Sequence, residues 1–509
     1  MKFAAKFPLR PSPRQYIGPA VVLGSLLTGC TVGPDFKQPD APASTRFTEA
    51  TLPVTTVSAA TPGGTAQRFA EGRDIPGDWW TVFHSPQIVD LVTQALKANP
   101  DVAAAQATLR EARENVRAEE GSLYPHASFN AQWQRQQESL AEYGFAGGGT
   151  STYSFNTANV SVSYTLDAFG GIRRQIEQLN AQADYQRFEL EATDLTLAAN
   201  VVSAAINEAS LQAQIDTTRQ IIATDNEALN LTRQRFQLGG VSQVDVLQQQ
   251  SLRDAQVATL PGLEKQLQQQ RNQLAVYIGG RPDGYTAPTL NLDNLTLPDE
   301  LPVSLPSKFV EQRPDIRAYE ALLHSASASV GVAIANMLPN ISLSGSYGRG
   351  GSNLQNMFTP SGIAWTIAAA IAQPIFEGGT LDARRRAALA ALDVAAAQYS
   401  GTVNVAFQNV ANALVAIERD AETLNAALAA QKTSAASLAV AQAQYSAGGN
   451  TYLNVLTAEE SDYSARLNLI TARAARFTDT VALFQALGGG WWNRTDIDPK
   501  LADASGVAR

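Results

Sequence analysis

Side chains able to do covalent or metal chemistry are few in this chain, and they are scattered. His84, His126 and His324 are its only histidines, and it has one cysteine in 509 residues. A single copy therefore has neither the Cys/His set of a zinc site nor a second thiol for an internal disulfide. Gly378-Gly379-Thr380 opens a helical stretch as a phosphate cradle does, but the lysine of the Walker spacing is missing. A tight turn followed by a helix start is the simpler reading. No nucleophile elbow with a triad, HExxH pair or EF-hand loop is present. Arg173-Arg174 and Arg384-Arg385-Arg386 read as a solvated or interfacial collar at two helix starts, and Asn340-Ile341-Ser342 matches a glycosylation sequon by chance. The formal charge is −9 with no basic block, which argues against nucleic acid as a partner. These residues predict no enzyme, no metal and no small-molecule cofactor.

The elements that carry these residues occur twice. Asn99-Pro100-Asp101 matches Arg313-Pro314-Asp315, and Leu123-Tyr124-Pro125 matches Met337-Leu338-Pro339, at an offset of 214. Phe236-Gln237-Leu238-Gly239-Gly240 matches Tyr445-Ser446-Ala447-Gly448-Gly449, and Tyr277-Ile278-Gly279-Gly280 matches Ala486-Leu487-Gly488-Gly489, at an offset of 209. Repeats this long point to a duplicated structural unit rather than a solenoid. The expected repeats are residues 86–280 and 307–490, each read as helix, strand, strand, helix, helix.

The long helices are the clearest signal. Residues 172–238 and 380–447 contain no proline and consist mainly of good helix formers, giving rods of roughly 100 Å at 1.5 Å per residue. In the second rod, Leu389, Leu392, Ala396, Tyr399, Val403, Phe407, Val410, Leu414, Ile417, Ala421, Leu424 and Leu428 step by three and four, which is coiled-coil spacing. A composition that is 45% hydrophobic but only 7% aromatic suits close-packed helices better than one central core. Strands are expected at 126–137, 153–168, 340–349 and 362–376. Their alternation, as in Ala127, Phe129, Ala131 and Trp133 against Ser128, Asn130, Gln132 and Gln134, matches membrane-barrel strands. Soluble amphipathic hairpins are the other reading of the same pattern. The Gly/Ser/Thr-rich stretches 144–152 and 348–362 are expected as exposed loops. Four strands cannot close a barrel, and lipid tolerates no open edge, so a membrane reading requires several copies.

Residues 1–29 have the basic start (Lys2, Lys6, Arg10, Arg14) and short apolar run of a secretory signal peptide. Leu27-Thr28-Gly29-Cys30 resembles the bacterial lipobox, in which the cysteine thiol is lipidated and Cys30 becomes the first mature residue. Thr31 follows where an inner-membrane retention signal usually has Asp, which points to the outer membrane. Removing four positive charges leaves the mature chain near −13, from −9. Residues 30–85 then form a lipid-anchored N-terminal segment, 281–306 a Pro-rich connector and 491–509 a C-terminal segment. The last two, and the Pro/Thr/Ala-rich part of the first, read as loops with at most short strands.

From Cys30 to Trp492 the chain resembles the TolC-like outer membrane factor family, in its lipoprotein branch serving resistance-nodulation-division efflux pumps (OprM/NodT type). The resemblance rests on Cys30-Thr31-Val32-Gly33-Pro34-Asp35-Phe36 with Pro39, Trp79-Trp80 with Phe83, Phe169-Gly170-Gly171, Phe376-Glu377-Gly378-Gly379, and Ala486-Leu487-Gly488-Gly489-Gly490-Trp491. It implies an α+β membrane protein: a homotrimer whose twelve strands form one outer-membrane β-barrel, continued by a periplasmic α-helical barrel of antiparallel coiled coils. It also implies passive export of small toxic compounds, with a periplasmic adaptor protein, an inner-membrane efflux pump and outer membrane lipids as partners. Adaptor docking would fall at the hairpin tips, with Gly239, Gly240, Gly448 and Gly449 allowing the reversals. The gate would include Tyr445 and Leu453. Asn454 and Thr457 stand where relatives often carry pore aspartates, while Asp245 in the first repeat could restore charge near the entrance. The only prosthetic group implied is covalent lipid on Cys30. Two other readings remain open at this stage, a tunnel for secreted polypeptides and a lipid-anchored coiled-coil scaffold without a pore.

Overall fold

A computed structural model describes residues 31–44, 46–139, 149–288 and 290–494. The signal peptide, Cys30 and most of the expected 144–152 loop lie outside them. The first repeat contributes α1 (Pro86–Ala98), α2 (Pro100–Glu120), β2 (His126–Ser139), β3 (Thr150–Leu166), α3 (Gly171–Gln237) and α4 (Gln243–Tyr277). The second contributes α5 (Pro306–Gln312), α6 (Pro314–Ala335), β5 (Asn340–Gly351), a short α7 (Leu354–Met357), β6 (Ile363–Ala372), α8 (Thr380–Ser446) and α9 (Tyr452–Ala486). Two further strands, β1 (Arg68–Glu71) and β4 (Glu300–Val303), lie outside the repeats. The long helices α3 and α8 each have 67 residues, and α4 and α9 each have 35.

Residues 348–362, expected as loop, hold the end of β5 and all of α7. The reason is local: the Asn353 side chain accepts a hydrogen bond from the Asn356 backbone N–H, at 2.8 Å, and starts a turn of helix. β6 stops at Ala372, short of the expected 376, where Pro374 would remove a ladder donor.

The chain forms two compact units, and they do not coincide with the repeats. Of the described residues, one comprises 31–37 with those in 112–183 and 322–396; the other comprises those in 38–111, 184–321 and 397–494. Each draws on both repeats because equivalent pieces pair with each other. In the first unit, β2, β3, β5 and β6 form one antiparallel sheet in that order, β3 of one repeat beside β5 of the other.

The second unit holds the main apolar core. Trp79 stacks on Phe484 at 5.4 Å between ring centroids, and Phe83 lies 6.3 Å from Phe477. Along α8, Tyr399, Val403, Val410, Leu414, Ile417, Ala421, Leu424 and Leu428 are buried as the three-four spacing predicts. Leu389 and Ala396, at the start of the same seam, are exposed in the single chain. The paired sequence motifs also meet in space. Asn99 Nδ2 donates to the Tyr277 carbonyl at 2.9 Å, and Arg313 Nη1 donates to the Ala486 carbonyl at 2.7 Å, so each motif closes the end of its own hairpin helix. Gly279 and Gly488 follow in left-handed conformation, where a Cβ would stand 2.2 Å from the Ala98 carbonyl oxygen and 2.6 Å from that of Gln312. The stretches read as loops also pair: β1 from the N-terminal segment and β4 from the connector form a parallel two-stranded sheet.

Candidate functional site

Directly opposed residues in an antiparallel sheet share a face. Across β2, β3, β5 and β6 the register aligns Phe129, Val160, Tyr347 and Trp365, and next to them Ala127, Val162, Gly345 and Ile367. The alternate rows are small and polar: Ser128, Ser161, Ser346 and Thr366, with the first two hydroxyls 2.8 Å apart. The apolar face is uncovered. Trp133 is 66% exposed, Trp365 69% and Ile367 82%. An apolar patch this large is paid for only by an environment other than water. Among the described residues, both outer strands, β2 and β6, present a free backbone edge.

The same unit contains a socket for the residues just after Cys30. Val32 N–H donates to the Phe169 carbonyl at 3.2 Å. Arg174 donates through Nε to the Val32 carbonyl at 3.0 Å and through Nη2 to Asp35 at 2.6 Å. Phe36 stacks on His324 at 4.4 Å, and His324 Nε2 lies 2.9 Å from Glu177. Arg174, read from the sequence as part of a solvated or interfacial collar, is almost fully buried because this segment folds over it. Of the other arginines of that group, Arg173 pairs locally with Asp167, and Arg385 and Arg386 pair with Asp382. Gly378 and Gly379 both have positive φ, and the Thr380 hydroxyl donates to the Glu377 carbonyl at 2.8 Å, the geometry of a turn into α8.

In the second unit, both helical hairpins reverse over few residues. Only the first glycine of each pair is left-handed, Gly239 at φ 73 and Gly448 at φ 74. The second closes the helix through its N–H: Gly240 donates to Arg235 O at 2.8 Å and Gly449 to Gln444 O at 2.9 Å, a Schellman arrangement at both tips. Asp245 caps α4, accepting the Ser242 N–H at 2.8 Å while Ser242 Oγ accepts from Asp245 N–H at 3.2 Å. At the start of α9, Leu453 is 54% exposed. Asn454 donates to the Asn450 side chain, and the Thr457 hydroxyl donates to the Leu453 carbonyl at 3.0 Å. Tyr445 is held through its ring, 5.1 Å from Tyr452 and with the Arg235 guanidinium 6.0 Å away.

Tyr452 was not singled out by the sequence. Its hydroxyl donates to Gln249 on α4 and accepts from Thr232 on α3 at 3.4 Å, so it ties three helices together. Its only sequence signal was its place beside the matched tip motif.

Residues 91–280 and 305–489 match the family model described as outer membrane efflux protein. The chain belongs to the outer membrane efflux protein family. This efflux protein is 30% identical over 480 residues to the probable efflux pump outer membrane protein TtgC of Pseudomonas putida, covering 93% of this chain and 95% of the relative. It is 27% identical to the cation efflux system protein CusC of Escherichia coli, covering 91% and 96% respectively. Among solved structures it superposes on the outer-membrane channel OprN with a TM-score of 0.81 at 27% identity, covering 91% of this chain and all of that one. It also superposes on the open state of the Neisseria gonorrhoeae MtrE outer membrane channel with a TM-score of 0.77 at 28% identity, covering 92% and 100%. The efflux protein is thus an outer membrane channel component, and its uncovered sheet face is the part suited to lipid.

Proposed function

We propose that three copies close one twelve-stranded barrel, β2 of each pairing with β6 of the next, and that small toxic molecules leave through it. The observation that carries this reading is a sheet with one uncovered apolar face and two free edges. In lipid every unpaired backbone group costs several kcal/mol, so the edges must meet partners, and identical chains supply them. Exposed apolar residues on α8, among them Val405, Val415 and Val440, are then covered by neighbouring copies. The number three is the family's, and electron microscopy of the detergent-extracted protein tests it: a threefold hollow particle is expected, and a solid or twofold one overturns it.

The tips at Gly239–Gly240 and Gly448–Gly449 dock a periplasmic adaptor, and an inner-membrane pump supplies the energy. No residue performs covalent chemistry and no cofactor is used. Relatives bear names as different as toluene efflux pump outer membrane protein and cation efflux system protein, which supports leaving choice of cargo to the pump. Tyr445, Leu453, Asn454, Thr457 and Asp245 form the entrance, with Leu453 as an apolar constriction. A Leu453→Gly variant is expected to raise single-channel conductance in planar bilayers; an unchanged closed channel removes Leu453 from the gate.

Lipid on Cys30 anchors the mature N-terminus. A Cys30→Ser variant is expected to lose all labelling by radioactive palmitate in growing cells, and persistent labelling would show that another residue is acylated. Each buried methylene of such a chain adds about 0.8 kcal/mol of membrane affinity, so several chains on one residue hold firmly.

A further inference from the structure

Behind the tips, the two hairpins are joined by polar side chains. α3 runs antiparallel to α9, and two hydroxyl contacts mark the register: Thr232 with Tyr452 and Thr218 with Tyr463, each at 3.4 Å. Between these contacts, seven residues from Thr232 on one helix and seven from Tyr452 on the other, stand Asp225 and Glu459. Asp225 is 4% exposed. Asp225 Oδ2 and Glu459 Oε2 are buried and make no hydrogen bond among the described residues.

The surrounding helices bring no cation to them. α4 presents the buried amides Gln249 and Gln256, and its Arg253 pairs with Asp254 at 3.2 Å. α8 presents Gln442, which hydrogen-bonds Glu459, and Tyr445, whose ring faces Arg235. On α9, Tyr452 is engaged by Gln249, while Asp462 pairs with Arg466 at 2.6 Å and accepts from Ser434 on α8 at 3.2 Å. Burial disfavours the ionised form of both carboxyl groups, the Asp225 charge adds to this at Glu459, and protonation removes the cost.

We propose that Asp225 and Glu459 act as a proton-operated joint, packing the two hairpins together when both are protonated and loosening them when the protons are lost. The joint itself does not depend on the channel reading; its effect on passage does. Burial pushes Asp225 up to about 6, and burial together with the Asp225 charge pushes Glu459 up to about 7. Carboxyl groups whose pKa is raised by packing bind more protons packed than apart. The stabilisation is therefore complete only below the ordinary values of 3.8 and 4.5, and it is lost as pH rises from there through about 6 and about 7.

A second carboxyl pair needs a control. Asp420 on α8 faces Asp479 on α9, and burial, with that neighbour, pushes Asp420 up to about 7, although Arg476 opposes the shift. The experiment places nitroxide labels on the full-length protein in detergent through Gln237→Cys and Ala447→Cys, at the ends of α3 and α8, and measures their separation by pulsed electron resonance. Between about pH 5.5 and about pH 8.5 the distance distribution should broaden, with a midpoint between about 6 and 7. The Asp225→Asn/Glu459→Gln variant should keep the acid distribution throughout, whereas Asp225→Asn alone should keep a weaker response, because burial by itself still raises Glu459. Asp420→Asn should leave the midpoint in place. A pH-independent distribution in the parent protein overturns the joint, and so does a pH response that survives in the double variant. A pH-dependent distance with pH-independent bilayer conductance supports the joint and counts against the channel reading at this entrance.

Discussion

An Ile367→Arg variant is expected to disappear from the outer membrane fraction as folded protein. Ile367 lies mid-strand on β6, is 82% exposed, and sits on the apolar face opposite Gly345. A charged side chain near the middle of a lipid-facing strand costs about 2–4 kcal/mol. A copy-sharing barrel would incur that cost at every copy, and 1.4 kcal/mol already shifts an equilibrium about tenfold. Thr366→Arg is the comparison, because Thr366 belongs to the polar row with Ser346 and Ser161. Assembly is read as the folded, detergent-resistant species recovered from membranes. Loss of Ile367→Arg with survival of Thr366→Arg is the expected result; equal loss of both would show that neither face is special and would remove lipid from the apolar one.

The second large effect is expected from Arg476→Ala. This arginine on α9 is 1% exposed, and burial lowers its pKa. Its guanidinium donates to the Gly63 carbonyl at 2.8 Å, to the Thr65 carbonyl at 3.0 Å and to Gln67 Oε1 at 3.1 Å. Gln67 in turn donates to the Pro298 carbonyl at 3.3 Å, next to the β1–β4 pair. Arg476 therefore ties the N-terminal segment to both the hairpin and the connector. Truncation leaves these acceptors unpaired and takes away the cation facing Asp420, a loss of roughly 3–5 kcal/mol. Proteolysis between residues 46 and 67 should accelerate, and the thermal midpoint should fall. A protected segment and an unmoved midpoint would show that Arg476 is not what holds it.

Much of the architecture was legible because its signals are local. A proline-free run of helix formers ends where glycine permits a left-handed turn, so α3 and α8 were readable to within a residue or so. Side chains alternate with period two in any strand, so β2 and β3 were readable without knowing their partners. The tip residues Gly239, Gly240, Gly448 and Gly449 were found through duplication, since a motif that occurs twice is harder to produce by chance. Whether Arg174 is solvated or interfacial was left open for the opposite reason. Nothing in Arg173-Arg174 distinguishes a solvated arginine from one buried under Val32, Gly33 and Asp35, which lie about 140 residues away in the chain. Tyr452, Asp225 and Glu459 escaped notice because their partners sit on other helices.

The amino-acid sequence by itself determined the duplication, the long helices and the strands before them, the two tips and the family resemblance, because each depends on neighbours within one or two turns of chain or on a motif repeated entire. Only the tertiary structure decided that β3 of one repeat pairs with β5 of the other, that β1 and β4 leave their loops to form a sheet, and that carboxyl oxygens of Asp225 and Glu459 are buried behind the tips. Those outcomes depend on which distant segments exclude water from one another, and burial is a property of the packed chain rather than of any stretch of it.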